Sequence, residues 1–182
     1  MVTVVPTDLP GVMIVEPRVF GDARGFFFES FNAQAFAEAG LPTDFVQDNH
    51  SRSQRGVLRG LHFQNPEPQG KLVRVTAGAV WDVAVDIRRS SPHFGRWTGV
   101  ELSASNMRML WIPQGFAHGF LCLEDGTDFL YKCTSFYRPQ FDHSIRWDDP
   151  DIGIDWPLGG MTPSLSAKDE AATSLAAAQV FA

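Results

Sequence analysis

Short runs rich in β-branched and aromatic residues recur along the chain, separated by Gly or Pro. In the run over residues 80–87 the odd positions are all apolar, whereas the even positions include Asp82 and Asp86. A period of two is typical of a β-strand. Further runs span residues 24–31, 71–77, 107–112, 119–123 and 128–135. Many short strands with regular turns predict a β-sandwich or barrel.

Helical patterns are few. Residues 32–39 form an Ala-rich run that ends at Gly40 with Pro42 beyond, which predicts a short helix with its stop signals. Ser166 and the carboxylate of Asp169 resemble a capping box at the start of a second helix. The Ala-rich tail after residue 170 also favours helix, although it is too short to be stable alone.

The length of 182 residues fits a single domain with a proper core. The chain shows no internal repeat and no linker composition. We therefore predict one mostly β domain over residues 1–182. Its core is expected over about residues 10–160, followed by a helical C-terminal tail.

Charge and composition exclude several classes of partner. A net charge of −6 and a pI near 5.3 argue against a basic nucleic-acid surface, so a phosphate contact requires a local cluster of arginines. No stretch approaches the roughly 20 apolar residues of a membrane span, and we see no signal peptide. We expect a cytoplasmic protein without nucleic-acid or membrane partners. Cys122 and Cys133 lack zinc-site spacing, and a disulfide stays open.

The segment over residues 56–64 places Arg59 and His62 in an apolar, glycine-punctuated strand pattern. Because side chains of a strand alternate, Arg59 is predicted on one face and His62 on the other. Composition alone favours a structural role for such a histidine. The other motifs of the chain change that interpretation.

Residues 112–120 resemble the second cupin motif, in which a Pro-x-Gly turn precedes a histidine that points into the barrel, here His118. Metal-binding cupins also need a His-x-His and a carboxylate in the first motif. The corresponding strand of this chain offers His62 alone. Two imidazoles without a carboxylate make a poor catalytic metal site, so we predict no metal.

Taken together, these motifs resemble the nucleotide-sugar 3,5-epimerases of the dTDP-4-dehydrorhamnose family over nearly the whole chain. The matching segments are residues 17–22, 24–31, 47–51, 56–64, 69–73, 131–137 and 165–169. The resemblance implies a cupin-type jelly-roll β-sandwich or barrel with a few short peripheral helices. It implies epimerisation at C3 and C5 of dTDP-4-dehydro-6-deoxy-D-glucose to dTDP-4-dehydro-L-rhamnose. No cofactor is required, because no electrons are transferred.

The resemblance also implies catalytic roles. His62 matches the base that removes the acidic protons beside the C4 carbonyl, and imidazole titrates near the operating pH. Asp169 matches the partner that orients and stabilises its ring. Tyr131 matches the acid on the opposite face of the sugar. Lys71 matches the cation beside the developing enolate oxygen.

Substrate-binding positions follow in the same way. Arg24 and Arg59 match nucleotide contacts, where guanidinium forks suit phosphate oxygens. The other matching positions are Glu29, Gln47, Asn49, Lys71, His118, Tyr137, Asp142 and Lys168. Phe27 or Tyr137 is a candidate to stack on the base. Asp142 departs from the family, which usually has Glu there, so its carboxylate is shorter by one methylene.

Plainer explanations stay open for these residues. Asp169 also fits a helix cap, Tyr131 an ordinary strand aromatic, and His118 a structural residue of the barrel interior, while the cations fit solvated strand edges. Two other functions share the motifs: a mono-epimerase acting at C3 or C5 only, and a non-catalytic cupin that binds nucleotide sugar. A metal-dependent oxygenase is a third class. An extended sheet edge favours a homodimer.

Overall fold

The computed structural model describes residues 2–182, and within this range β-strands form the framework. The strands are β1 (Val2–Pro6), β2 (Met13–Pro17), β3 (Phe20–Asp22), β4 (Gly25–Phe27), β5 (Gln47–Ser53), β6 (Leu58–Gln64), β7 (Lys71–Ala77), β8 (Ala79–Asp86), β9 (Trp97–Ser103), β10 (Met109–Ile112), β11 (Phe116–Cys122), β12 (Thr127–Cys133) and β13 (Asp142–Ser144). The mostly β architecture predicted from the sequence is confirmed.

Two antiparallel sheets pack face to face. Sheet I has the strand order β1-β2-β10-β7-β12-β5, and sheet II has the order β13-β6-β11-β8-β9. The strands β3 and β4 form a separate hairpin. Apart from the pairs β1–β2 and β8–β9, neighbouring strands are not consecutive in the chain, so residues far apart in sequence meet on one inner face.

Three apolar clusters hold the layers together. They include Val73, Val80, Leu110 and Phe129 between the sheets, Leu61, Val83, Trp156 and Leu175 outside sheet II, and Val15, Phe36, Leu72 and Met109 outside sheet I. Val2 and Phe181, at the two ends of the chain, also pack against these clusters. The packed structure therefore extends beyond the predicted core of residues 10–160.

The helices are short. They are α1 (Ala33–Glu38), a 3-10 helix (Pro139–Phe141) and α2 (Ala167–Glu170). The Asn32 side chain caps α1 by accepting from the Ala35 N–H, and Gly40 after the helix has a φ of +75°. The prediction of this helix is confirmed. Among residues 2–182, no helix combines the length and apolar character needed to cross a membrane.

The C-terminal tail differs from the prediction. After α2, residues 171–182 form turns and isolated bridges instead of a helix. The Thr173 carbonyl accepts from the Arg146 N–H, and the Phe181 carbonyl accepts from the Arg89 N–H. Because these bonds to neighbouring segments satisfy backbone groups that a helix would pair internally, the packed tail is favoured over helical propensity.

The phase of β6 also differs from the prediction. His118 of β11 pairs with His62, but the residue two positions after His118 pairs with Arg59, three positions from His62. The extra residue forms a β-bulge that returns Arg59 and His62 to the same face. Gly60 lies in this bulge with a φ of +126°, and a Cβ there would lie 2.5 Å from the Gly119 Cα, so only glycine fits. The prediction that Arg59 and His62 face opposite ways is wrong.

Candidate active site

A cavity of about 310 Å³ lies between the inner faces of the two sheets. The predicted site residues that line it are Arg59, His62 and His118 from sheet II and Asn49, Lys71 and Tyr131 from sheet I. The other lining residues, which were not predicted, are His50, Ser51 and Phe120. The fold thus gathers residues from five strands around one space that a small ligand can enter.

His62 and Tyr131 belong to opposite walls of this cavity. His62 lies on β6 of sheet II, and Tyr131 lies on β12 of sheet I. The Tyr131 ring packs against the apolar cluster between the sheets, with its centroid 6.0 Å from that of Phe129. A flat ligand held between the sheets therefore meets an imidazole on one side and a phenol on the other.

The helix α2 brings a carboxylate to His62. The Asp169 Oδ1 atom lies 2.6 Å from the His62 Nε2 atom, and the Asp169 side chain is almost fully buried. The other oxygen accepts a hydrogen bond of 2.7 Å from the Ser166 hydroxyl, which itself accepts from the Asp169 N–H. Asp169 is thus part of the helix cap and also bonds to His62, so the two explanations considered for it are compatible.

The environment sets the protonation of this pair. Burial lowers the pKa of His62 below its ordinary value, although the hydrogen bond to Asp169 opposes the shift. Burial raises the pKa of Asp169, but the bonds from His62 and Ser166 outweigh it, and the net change is downward. At neutral pH the ring is therefore neutral beside an ionised carboxylate. The ring proton then lies on Nε2, and Nδ1 carries the lone pair that accepts a proton.

The pKa of Tyr131 is shifted upward, in the opposite direction to that of His62. Burial, reinforced by the nearby Cys133, raises the pKa of Tyr131 to about 12, while Arg59 acts against the rise. The phenol consequently keeps its proton at neutral pH. A protonated hydroxyl on the wall facing His62 can donate to a basic carbon of a bound ligand.

Lys71 adds a nearly fully buried amine to the cavity lining. Burial lowers the pKa of Lys71, and the nearby Cys133 and Asp142 oppose this effect. A negative charge that develops on a ligand oxygen beside Lys71 favours its ammonium form. Lys71 is therefore suited to stabilise an oxyanion inside the cavity.

A second histidine–carboxylate pair lies beside the first. The His118 Nε2 atom lies 3.1 and 3.0 Å from the two carboxylate oxygens of Asp82, which is fully buried. His118 thus makes an internal bond and also lines the cavity. Sequence analysis did not assign Asp82 to the site. The available signal was a pair of aspartates, Asp82 and Asp86, in a run whose other residues are apolar, because a buried carboxylate needs a partner.

Three predicted binding residues form a group outside the cavity lining. The Asp142 carboxylate bonds to the Lys168 ammonium and, at 2.9 Å, to the Tyr137 hydroxyl. The Tyr137 side chain is half exposed. The Asp142 carboxylate is thus bonded to two side chains of the protein itself. Its bond to the hydroxyl of Tyr137 fixes the position of that exposed ring.

Gln47 connects this group to the cavity. Its amide donates to the Asn49 Oδ1 atom at 3.0 Å and accepts from the Tyr137 N–H at 2.8 Å. Gln47 does not line the cavity. The two hydrogen bonds of Gln47 hold the Asn49 side chain and the backbone of Tyr137 in place.

Arg24 and Glu29 lie apart from the cavity. The Arg24 guanidinium, which is 90% exposed, bonds to the Asp22 carboxylate on the β3–β4 hairpin. Glu29 accepts a hydrogen bond from the Asn32 side chain. Neither residue lines the space around His62. Arg24 and Glu29 therefore lie outside the cavity of their own chain, and their predicted substrate contacts stay predictions.

Metal ligation has no support in the geometry. Within residues 2–182, no group of three or more His, Cys, Asp or Glu is arranged to hold an ion. The Nε2 atoms of His62 and His118 are each taken up by a carboxylate. The metal-free reaction remains a prediction.

The structure also answers the question of a disulfide. Both cysteines, Cys122 and Cys133, are buried and free in the described chain.

Comparison with known proteins identifies the family. The family model of dTDP-4-dehydrorhamnose 3,5-epimerase matches residues 6–177. The chain belongs to this family. It is 59% identical over 174 residues to the dTDP-4-dehydrorhamnose 3,5-epimerase of Pseudomonas aeruginosa, covering 95% of this chain and 96% of that one. The family membership, the isomerase class and the cupin-type fold that the sequence predicted are therefore confirmed.

Solved structures of this 3,5-epimerase family agree with the present fold. The dTDP-6-deoxy-D-glucose-3,5-epimerase of Legionella pneumophila, in complex with dTDP-4-keto-L-rhamnose, has a TM-score of 0.94 and 53% identity, covering 97% of this chain and 94% of that chain. A 3′-monoepimerase of Streptomyces bikiniensis, in complex with dTDP-quinovose, is more distant, with a TM-score of 0.88, 38% identity and coverage of 94% and 87%. Similarity thus favours the double epimerases over the mono-epimerases.

Proposed function

We propose that this protein inverts C3 and C5 of dTDP-4-dehydro-6-deoxy-D-glucose to give dTDP-4-dehydro-L-rhamnose, with His62 as base and Tyr131 as acid. The observation that carries the proposal is the position of these two groups on opposite walls of one cavity. Inversion at carbon requires removal of a proton from one face and its return to the other. The Legionella neighbour binds dTDP-4-keto-L-rhamnose, which is the proposed product.

Each inversion passes through an enolate. The neutral His62 ring takes the proton from the carbon beside the C4 carbonyl, and the electron pair of the C–H bond moves onto the carbonyl oxygen. Lys71 and His118 are placed to stabilise the resulting oxyanion. Tyr131 then donates its proton to the opposite face of the carbon, and the carbonyl reforms. The phenolate and the imidazolium exchange protons with solvent before the next inversion.

Asp169 supports the proton removal. Its carboxylate is held by Ser166 and faces the His62 Nε2 atom, where positive charge develops once the ring has accepted a proton. Such a partner fixes the tautomer and stabilises the imidazolium.

Because a nucleotide diphosphate does not cross a bilayer unaided, we also propose that the reaction takes place in the cytoplasm, where nucleotides are made.

The proposed reaction has a direct test in heavy water. Wild-type protein incubated with dTDP-4-dehydro-6-deoxy-D-glucose is expected to give a product that carries deuterium and inverted configuration at both C3 and C5, measured by NMR. Deuterium at both carbons with inversion at only one supports the mono-epimerase. Binding of dTDP without any exchange supports the non-catalytic cupin.

We further propose that the protein works as a homodimer in which the β3–β4 hairpin of one copy reaches the cavity of the other. By family resemblance Arg24 is a nucleotide contact, yet it lies on an exposed hairpin away from its own cavity. Phe26 and Phe27 on this hairpin are 63% and 67% exposed, which favours burial against another surface. A second copy supplies such a surface and places Arg24 beside the diphosphate.

Mixed dimers test this assembly. Arg24→Ala and His62→Ala variants are each expected to lose most activity, but a heterodimer has one intact cavity, formed by the His62 of one copy and the Arg24 of the other. Random mixing makes half of the dimers heterodimers, so about a quarter of the wild-type sites are restored. Co-expressed variants with different tags supply the sample for an activity assay. No recovery would show that Arg24 acts within its own chain or outside the site.

A further inference from the structure

Arg59 is held at the cavity by a neutral partner. Its Nε and Nη2 atoms both donate to the Ser53 hydroxyl oxygen, at 3.2 and 3.1 Å. Ser53 is buried at the end of β5, whereas the Arg59 side chain lines the cavity. Because two N–H groups of the planar guanidinium bond to one oxygen atom, the orientation of the Arg59 guanidinium is restricted.

Other arginines of the described chain are held differently. Carboxylates accept hydrogen bonds from Arg24, Arg52, Arg88, Arg108, Arg138 and Arg146. A carboxylate neutralises the charge of its arginine and competes with an incoming phosphate for the same N–H groups. A hydroxyl takes up N–H groups too, but it leaves the charge of the arginine in place. Arg59 therefore keeps its full positive charge and three of its five N–H groups for a ligand.

The Ser53 hydroxyl belongs to a buried residue. Both lone pairs of its oxygen face Arg59, so its own proton is left for another acceptor. Burial raises the pKa of the Cys122 thiol, and the nearby Ser53 and Arg59 oppose that rise.

We infer that Ser53 is a positioning residue that presents the charged guanidinium of Arg59 to the diphosphate of the substrate. The inference rests on the proposed function for the identity of the ligand. Ser53 does not line the cavity, so it acts through Arg59 and makes no contact with the reacting carbons. Its effect is therefore expected in binding and not in the chemical step.

Two substitutions at the same position separate charge from orientation. Ser53→Ala removes the acceptor, and the freed guanidinium is expected to bind dTDP about tenfold more weakly. Ser53→Asp keeps an acceptor but adds a carboxylate, and dTDP is expected to bind about 100-fold more weakly because Arg59 is neutralised. Binding of dTDP is measured by calorimetry, with thymidine as the control ligand that has no phosphate. In the reaction, Ser53→Ala is expected to raise KM with kcat nearly unchanged.

A double-mutant cycle distinguishes positioning from a general structural role. In an Arg59→Ala background, Ser53→Ala is expected to cause no further loss of dTDP affinity, because its only route to the ligand is gone. Ser53→Thr, which retains the hydroxyl, is expected to stay near wild type. Equal losses in both backgrounds, or a Ser53→Asp variant that binds dTDP like wild type, overturn the inference while leaving the epimerase proposal intact. Wild-type protein that binds neither dTDP nor pyrophosphate overturns both.

Discussion

The His62→Ala variant is expected to lose exchange of the C3 and C5 protons by about 10³-fold or more. His62 is the proposed base, since burial lowers its pKa and Asp169 holds the proton of the ring on Nε2. Without the imidazole, the proposed base is missing from the wall that faces Tyr131. Deuterium incorporation from heavy water, followed by NMR, measures the loss.

The affinity of this variant separates catalysis from binding. Because we assign the diphosphate to arginines and not to His62, the dissociation constant of dTDP is expected to change by no more than about threefold. His93→Ala is a matched control: His93 lies in a turn outside the cavity, and its loss is expected to leave exchange at the wild-type rate. A His62→Ala protein that still exchanges protons at the normal rate would remove His62 from the base role.

The Tyr131→Phe variant is expected to keep proton exchange but to lose inversion. The ring still packs against Phe129, so the cavity wall is preserved and only the hydroxyl is gone. His62 continues to form the enolate, while the opposite face has no acid. We expect the rate of epimerised product to fall by about 10²-fold or more and the exchange rate by less than about tenfold.

The other tyrosine of the chain serves as the control for this substitution. Tyr137 bonds to Asp142 outside the cavity lining, so Tyr137→Phe is expected to affect binding while the remaining product is still inverted. Both rates come from one time course, in which NMR resolves deuterated substrate from epimerised product. Normal epimerisation by Tyr131→Phe would mean that another group donates the proton.

Much of this site could be predicted from the sequence because its motifs lie on regular strands. The alternation in β8 and the run that became β12 indicated strands, and the Pro-x-Gly turn correctly placed His118 inside the sandwich. The resemblance to the family then related His62 and Tyr131, which no periodicity connects. Their meeting in one cavity is a property of the tertiary fold.

Other features depended on tertiary contacts that a local pattern does not record. The β-bulge at Gly60 shifts the phase of β6, so simple alternation placed Arg59 on the wrong face. The tail after residue 170 has helical propensity, but hydrogen bonds to neighbouring segments take up its backbone groups. The partners Asp82 and Ser53 were missed because each is identified only by the side chain that it contacts.

The stereochemistry of the deuterium introduced by Tyr131→Phe tests the opposed arrangement of base and acid most directly. With His62 as the only proton-transferring group left, deuterium returns to the face from which the proton departed. The recovered sugar is expected to be deuterated at C3 and C5 and to retain its starting configuration. Deuterated sugar with inverted configuration at either carbon, formed at the wild-type rate, would contradict it.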